Sequence, residues 1–232
     1  MSLRIGSLYH NIISRFFKKD QKPALQELLK IMDEELENNK DDFKYHFYFK
    51  EIKNEMNKNF INLYNNFSYI IDDPDYENLK DKIFTEKEFV FDIDEKNKIK
   101  GKIDLINLRD DGFAELIDFK SSQKKYSEKD LEEELQLKIY YLAIKKSNSI
   151  AELLPDIRNR TILPRYYVIG LEKYNFFTVT VHEKTEEMVT EKILSIISNI
   201  KKEKFDINPR NYFSCSSCEY KIFCEKYYGE PL

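Results

Sequence analysis

The feature that most constrains this chain is an abrupt change of texture at the cluster Asp72-Asp73-Pro74-Asp75. Before it the sequence runs at helical spacing. After it come three segments rich in Ile, Phe, Val and Leu with only short turns between them, Glu86 to Ile93, Ile99 to Leu108 and Phe113 to Lys120. A proline disfavours helix at the residue before it, so the cluster ends the helical part, and the apolar segments read as strands. Upstream, Leu8, Ile12, Ile13, Phe16 and Phe17 mark an amphipathic helix that carries His10, and 23–39 and 41–67 alternate apolar and charged positions as two further helices of a cap or side subdomain. Downstream, Ser127 with Asp130 three residues on predicts a helix start, with the helix running to about Lys146. Residues 165–171 and 176–181 read as another strand pair, and Thr185 to about Lys202 as a helix with Met188, Ile193, Ile196, Ile197 and Ile200 on its apolar side. Helices, three strands, helix, two strands, helix is the order of an α/β or α+β fold with a mixed sheet covered by helices. The expected organisation is a single domain over 1–232, with a helical part at 1–75, the sheet and its helices at 84–205, and a cysteine-bearing tail at 206–232.

Composition narrows the setting. With 232 residues and 41% hydrophobic content the chain can bury a real core. No apolar run approaches bilayer length and the N-terminus lacks a secretory stretch, so a soluble, cytoplasmic protein without membrane association is expected. The net charge of -4 gives no global attraction to nucleic acid, yet phosphate contact requires only local positive charge, so DNA is not excluded. The first residues run at once into the helix of His10, and the chain is expected to be a piece of a longer polypeptide.

The strands carry the chemistry. Asp118 and Lys120, two apart, share a strand face. Asp104 joins them only if the intervening loop has the right parity, because a one-residue slip sends a side chain to the other face. A three-residue loop Asp110 to Gly112, with glycine in the left-handed position, pairs Arg109 with Phe113 and places Asp104 opposite Asp118. Two neighbouring carboxylates resist ionising together, and a divalent cation removes that penalty. Mg2+ or Mn2+ suits such oxygen ligands and activates water at phosphate, with Lys120 orienting that water or stabilising developing charge. The apolar residues Ala114, Leu116, Ile117 and Phe119 predict a strand buried on both faces, where unpaired charge is expensive. In the next helix Leu131, Leu135, Ile139 and Leu142 form the predicted core stripe. Gln136 and Tyr140, four apart on an adjacent face, offer an amide and a phenol to the same centre.

Gly6-x-x-x-His10, Glu86-x-x-Phe89, Gly101-x-x-Asp104, Asp118-x-Lys120 and Gln136-x-x-x-Tyr140 occur in the order found in the RecB-like branch of the PD-(D/E)xK nuclease superfamily, which the chain resembles over nearly its whole length. The resemblance implies a restriction-endonuclease-like core in which His10, Asp104, Asp118 and the main-chain carbonyl of Phe119 bind the metal. It implies that Lys120 acts in catalysis while Gln136 and Tyr140 complete the site; the role of Glu86 stays open. The nearest likeness is to the nuclease domain of AddB-type helicase-nuclease subunits.

All three cysteines lie near the C-terminus, Cys215-x-x-Cys218-x5-Cys224. An odd, clustered count in a cytoplasmic setting points to metal or cluster binding rather than disulfides. The spacing resembles the last three ligands of the 4Fe-4S cluster in AddB-type subunits and in CRISPR-associated adaptation exonucleases, whose fourth cysteine precedes the histidine helix. Here no cysteine precedes His10, which leaves three readings: a fourth ligand outside this piece, a zinc site completed by another residue, or free thiols. In this piece the cluster is expected to be absent or incomplete.

The reading that follows is a metal-dependent DNA nuclease, an exonuclease acting on single-stranded ends and associated with a helicase region in DNA repair or recombination. A stand-alone adaptation-type exonuclease and a degenerate, non-catalytic DNA- or partner-binding domain are the alternatives.

Overall fold

The computed structural model of the chain describes residues 2–18, 24–42, 46–72, 80–204 and 218–228, together with 22 and 215. Two compact units are distinguished, Met1–Val189 and Thr190–Leu232. The first opens with the helices α1 (Ser2–Phe17), α2 (Leu25–Asn38), α3 (His46–Asn66) and the short α4 (Ser68–Ile71). Asp73-Pro74-Asp75, the predicted break, lies outside the described residues. Then come β1 (Ile83–Asp92), β2 (Lys98–Leu108) and β3 (Phe113–Lys120), the helices α5 (Glu128–Glu133), α6 (Gln136–Lys146) and α7 (Asn148–Leu153), and the strands β4 (Thr161–Val168) and β5 (Phe176–Thr178). The helix α8 (Thr185–Lys201) bridges the division between the units, and α9 (Lys221–Tyr228) ends the second. Among the described residues no helix is long and apolar enough to cross a membrane.

The strands form one sheet in the order β1-β2-β3-β4-β5. Only β3 and β4 are parallel; their connection carries α5 to α7, as a parallel crossover requires. This is the mixed α/β sheet flanked by helices that the element order predicts. β3 is buried continuously from Ala114 to Phe119, in keeping with a central strand covered on both faces.

One core joins the sheet to the N-terminal helices. Leu8, Tyr9, Ile12, Ile13, Phe16 and Phe17 of α1 meet Leu28, Ile31 and Met32 of α2, and Phe60 and Leu63 of α3, over Leu105, Ile117, Phe119 and Tyr167. Phe67, fully buried, has ring neighbours in Phe17, Tyr69, Phe119, Tyr167 and Phe176 at 5.0 to 6.2 Å. A fully buried aromatic of this kind contributes about 1.5–3 kcal/mol by leaving water. The same packing fixes α1, and with it His10, against the sheet.

Four expectations need correction. The helix that starts at Ser127 does so through the predicted capping box, with Ser127 Oγ accepting from Asp130 N and Asp130 Oδ2 accepting from Ser127 N. It does not reach Lys146, however, because Glu134 turns extended (ψ 130) and its carboxylate accepts the N–H of Gln136 at 2.7 Å, starting α6 afresh. The break rotates the helix, so its buried face is Leu137, Tyr140, Leu142, Ala143 and Ile144, while Leu131, Leu135 and Ile139 are only partly covered. The second strand pair is shifted and shorter, β4 running from Thr161 to Val168 rather than over 165–171 and β5 stopping at Thr178 rather than 181. Pro164 is tolerated because its carbonyl, and so its missing N–H, faces the β5 side, where ladder pairing starts only at Arg165. In α8 the buried residues are Val189 and Ile193, whereas Met188, Ile196 and Ile200 are exposed.

Candidate active site

The loop between β2 and β3 is the predicted one. Arg109 N donates to Phe113 O at 2.9 Å, Gly112 N to Arg109 O at 3.4 Å, and Gly112 has φ 86, the left-handed region in which a side chain is strained. The ladder runs from Leu108↔Ala114 to Leu105↔Ile117, so the next position across is Asp104 and Asp118. There the pairing stops. Hydrogen-bonded pairs alternate along an antiparallel ladder, so the N–H and C=O of Phe119 point toward β2. The N–H is taken by Asp104 Oδ2 at 2.9 Å instead of a main-chain carbonyl. On the other side of β2, Thr85↔Leu105 and Lys87↔Ile103 flank the position where Glu86 faces Asp104. One row across three strands therefore carries three carboxylates.

Asp118, 2% exposed, sits in a nest of side chains. Its Oδ1 accepts from Gln136 Nε2 at 2.7 Å and from the Tyr140 hydroxyl at 3.1 Å. Among the described residues Oδ2 makes no hydrogen bond and has one ion-pair partner, the Lys120 ammonium at 2.7 Å. Gln136 binds the lysine as well, Oε1 accepting from Lys120 Nζ at 2.8 Å, and its amide also donates to the Tyr140 oxygen at 3.2 Å. Tyr166 lies under the ammonium, 4.8 Å from ring centre to Nζ. Despite these partners Asp118 is pushed up to about 6, by burial first and by the charge of Asp104 second, against the lowering effect of Lys120. Burial and the nearby carboxylates also hold the Tyr140 phenol far above its usual range, so it remains a protonated donor.

His10 and Glu86 close the other side. His10 Nδ1 lies 3.3 Å from Asp104 Oδ2, and its ring meets Phe119 edge-on at 6.4 Å. Burial pushes this imidazole down, but the hydrogen bond to Asp104 and the charges of Asp104, Asp118 and Glu86 outweigh it, leaving a net upward shift. One ligand atom each of His10, Glu86 and Asp104 lies within 4.8 Å of the others, the only such metal-binding grouping among the described residues. Glu86 pairs with Lys102 and has φ 55 in the middle of β1, a left-handed conformation that costs a non-glycine residue about 1–3 kcal/mol. These groups line a cleft of about 420 Å³ together with Gly6, Ser7, Asn11, Lys102 and Ser121.

All the predicted site residues of unit one are thus brought together: His10 from α1, Asp104 from β2, Asp118, Phe119 and Lys120 from β3, Gln136 and Tyr140 from α6. Glu86 joins them, a residue whose role the sequence leaves open. Its signal is its place opposite Asp104, readable only once the β1–β2 register is known. Cys215, Cys218 and Cys224 form no disulfide and belong to the second unit. The donor set fits a hard divalent cation: the carboxylates of Glu86 and Asp104 and the imidazole of His10 form the grouping, the Phe119 carbonyl is directed at the same gap in the sheet, and Asp118, expected from the sequence as a ligand, lies beside Asp104 but outside that grouping. The physical mark of the fit is Asp118 Oδ2, a buried carboxylate oxygen with no hydrogen bond among the described residues.

The family model of the PD-(D/E)XK nuclease superfamily matches residues 1–225. Among solved structures, the crystal structure of SSO0001 is similar at 15% identity and a TM-score of 0.40, over 82% of this chain and 80% of that one. No curated protein sequence matches.

Proposed function

The chain belongs to the PD-(D/E)XK nuclease superfamily, and on that premise we propose that it is a Mg2+- or Mn2+-dependent deoxyribonuclease whose centre is built by His10, Glu86, Asp104, Asp118, Phe119, Lys120, Gln136 and Tyr140. His10, Glu86, Asp104, Asp118 and the Phe119 carbonyl would hold the cation. When bound, it supplies Lewis acidity to a phosphoryl oxygen and lowers the pKa of water. The remaining work is done by the chain. Lys120, held by Gln136 and backed by Tyr166, keeps an ammonium beside Asp118, where it orients the attacking water and opposes charge developing on the phosphate. Tyr140 and Gln136 hold the Asp118 carboxylate by its Oδ1, and the Lys120 ammonium lies by its Oδ2. β3 is buried from Ala114 to Phe119, which keeps the Asp118 carboxylate from reorienting into solvent.

The observation that carries this reading is geometric: one ligand atom each of His10, Glu86 and Asp104 lies within 4.8 Å of the others, next to the buried carboxylate of Asp118. Burial without full compensation is a cost that metal binding removes. We further propose exonuclease action on single-stranded ends, in the cytoplasm, within an AddB-type helicase-nuclease. The motif order and the spacing of Cys215, Cys218 and Cys224, suited to part of a 4Fe-4S site, support this finer reading. The test is a Mn2+-dependent assay on DNA with the wild type, Asp118→Ala and Lys120→Ala. Activity in the wild type that both substitutions abolish is expected, and equal activity in all three overturns the assignment.

A further inference from the structure

Two motif residues that touch neither substrate cleft nor candidate metal ligand remain without a role, Gly101 and Phe89. They face each other directly across the β1–β2 ladder. A Cβ placed on Gly101 would meet Phe89 Cζ at 2.5 Å, Cε1 at 3.0 Å and Cε2 at 3.1 Å, so the ring occupies the space a side chain would take. Phe89 is 2% exposed and cannot yield freely. Phe91 stacks beside it at 6.0 Å and 24°, and Tyr140 meets it edge-on at 6.0 Å and 75°. Tyr140 in turn donates its hydroxyl to Asp118 Oδ1 at 3.1 Å. A methyl at Gly101 must therefore drive the Phe89 ring by about an ångström to regain ordinary contact, into groups that include the tyrosine holding Asp118.

We propose that Gly101 and Phe89 are positioning residues for the active site: the absent side chain of Gly101 seats Phe89, Phe89 sets Tyr140, and Tyr140 fixes the carboxylate of Asp118. The inference rests on the metal-dependent reading above for its consequence, and on side-chain packing alone for its mechanism. It links a glycine three residues before Asp104 to a different carboxylate on the next strand.

The test uses the full chain, with Gly101→Ala, Phe89→Leu and the double variant, and two readouts. Mn2+ affinity is measured by calorimetric titration, and the Tyr140 ring resonance is followed by NMR of metal-free protein with isotope-labelled tyrosine, assigned through Tyr140→Phe. Gly101→Ala should weaken Mn2+ binding about tenfold, the usual scale for disturbing a group that orients a ligand, and should shift the Tyr140 resonance. The smaller leucine makes room for the methyl, so the double variant should bind closer to wild type than Gly101→Ala does. Wild-type affinity and an unmoved Tyr140 in Gly101→Ala overturn the proposal, as do losses that simply add in the double variant. Should Gly101→Ala not fold, the same comparison is made between Phe89→Leu and the double variant: recovery in the double supports the coupling, and a further loss overturns it. A wild type that binds no Mn2+ defeats the metal-dependent reading, while the Tyr140 resonance still decides the relay.

Discussion

Two acids three residues apart on β3 are buried equally well and treated in opposite ways. Glu115, with no exposed surface, is surrounded by donors: Asn107 Nδ2 at 2.8 Å and the Tyr69 hydroxyl at 2.9 Å reach Oε2, while Arg165 at 2.6 Å and Arg109 at 3.4 Å reach Oε1. Asp118 has an amide, a phenol and one ammonium, but it also has Asp104 as a neighbour, and its carboxyl is pushed up to about 6. Around Glu115 the protein supplies its own countercharge. Around Asp118 it sets one ammonium beside a second acid, and on the reading proposed above that difference separates a cation site from a piece of buried framework.

The same chemical change, carboxylate to amide, should therefore do opposite things at the two positions. Asp118→Asn should lower kcat on DNA by about a thousandfold or more, the scale of losing a group that organises the reacting centre, while raising the melting temperature of the metal-free protein. The sign follows from the raised pKa: the folded state already prefers the neutral acid, and asparagine resembles it. Glu115→Gln should do the reverse. It strands Arg165 and Arg109 against a neutral amide and costs about 3 kcal/mol of stability, read by denaturant titration, with Mn2+ affinity kept. If both substitutions destabilise alike, the distinction between the two acids fails.

Metal addition sharpens the contrast. Mn2+ at about a hundred times its dissociation constant should stabilise the wild type by roughly 2.7 kcal/mol, a rise in melting temperature that Glu115→Gln retains and Asp118→Asn loses. A chelator should reverse the rise. An equal rise in Asp118→Asn would place the ion elsewhere.

Legibility in the sequence followed how local the physics was. The β2–β3 loop could be read because Gly112 alone suits its left-handed position, and the loop parity then brought Asp104 toward Asp118. The capping box at Ser127 is likewise a matter of four residues. The break at Glu134 was hidden, since no glycine or proline stands between Glu128 and Lys146; it depends on a side chain taking a main-chain donor and on Gln136 being needed between Asp118 and Lys120. Glu86 was hidden for a related reason. Nothing local favours a glutamate at φ 55, and only the pairing of β1 with β2 sets it opposite Asp104.

The smallest effects come from deleting one hydroxyl at each acid. Tyr69→Phe removes one of the donors to Glu115 and leaves Asn107 on the same oxygen, so the cost should be about 1 kcal/mol, the net worth of one hydrogen bond with a partner still in place. Mn2+ affinity should not move. Tyr140→Phe removes a comparable bond from Asp118, and a similar loss of stability is expected because the ring still packs against Phe89. Its second consequence differs in kind, because the carboxylate it releases is the one short of countercharge, so calorimetric Mn2+ affinity should fall. Two tyrosines that prove alike in both measurements would mean that Asp118, like Glu115, is only framework.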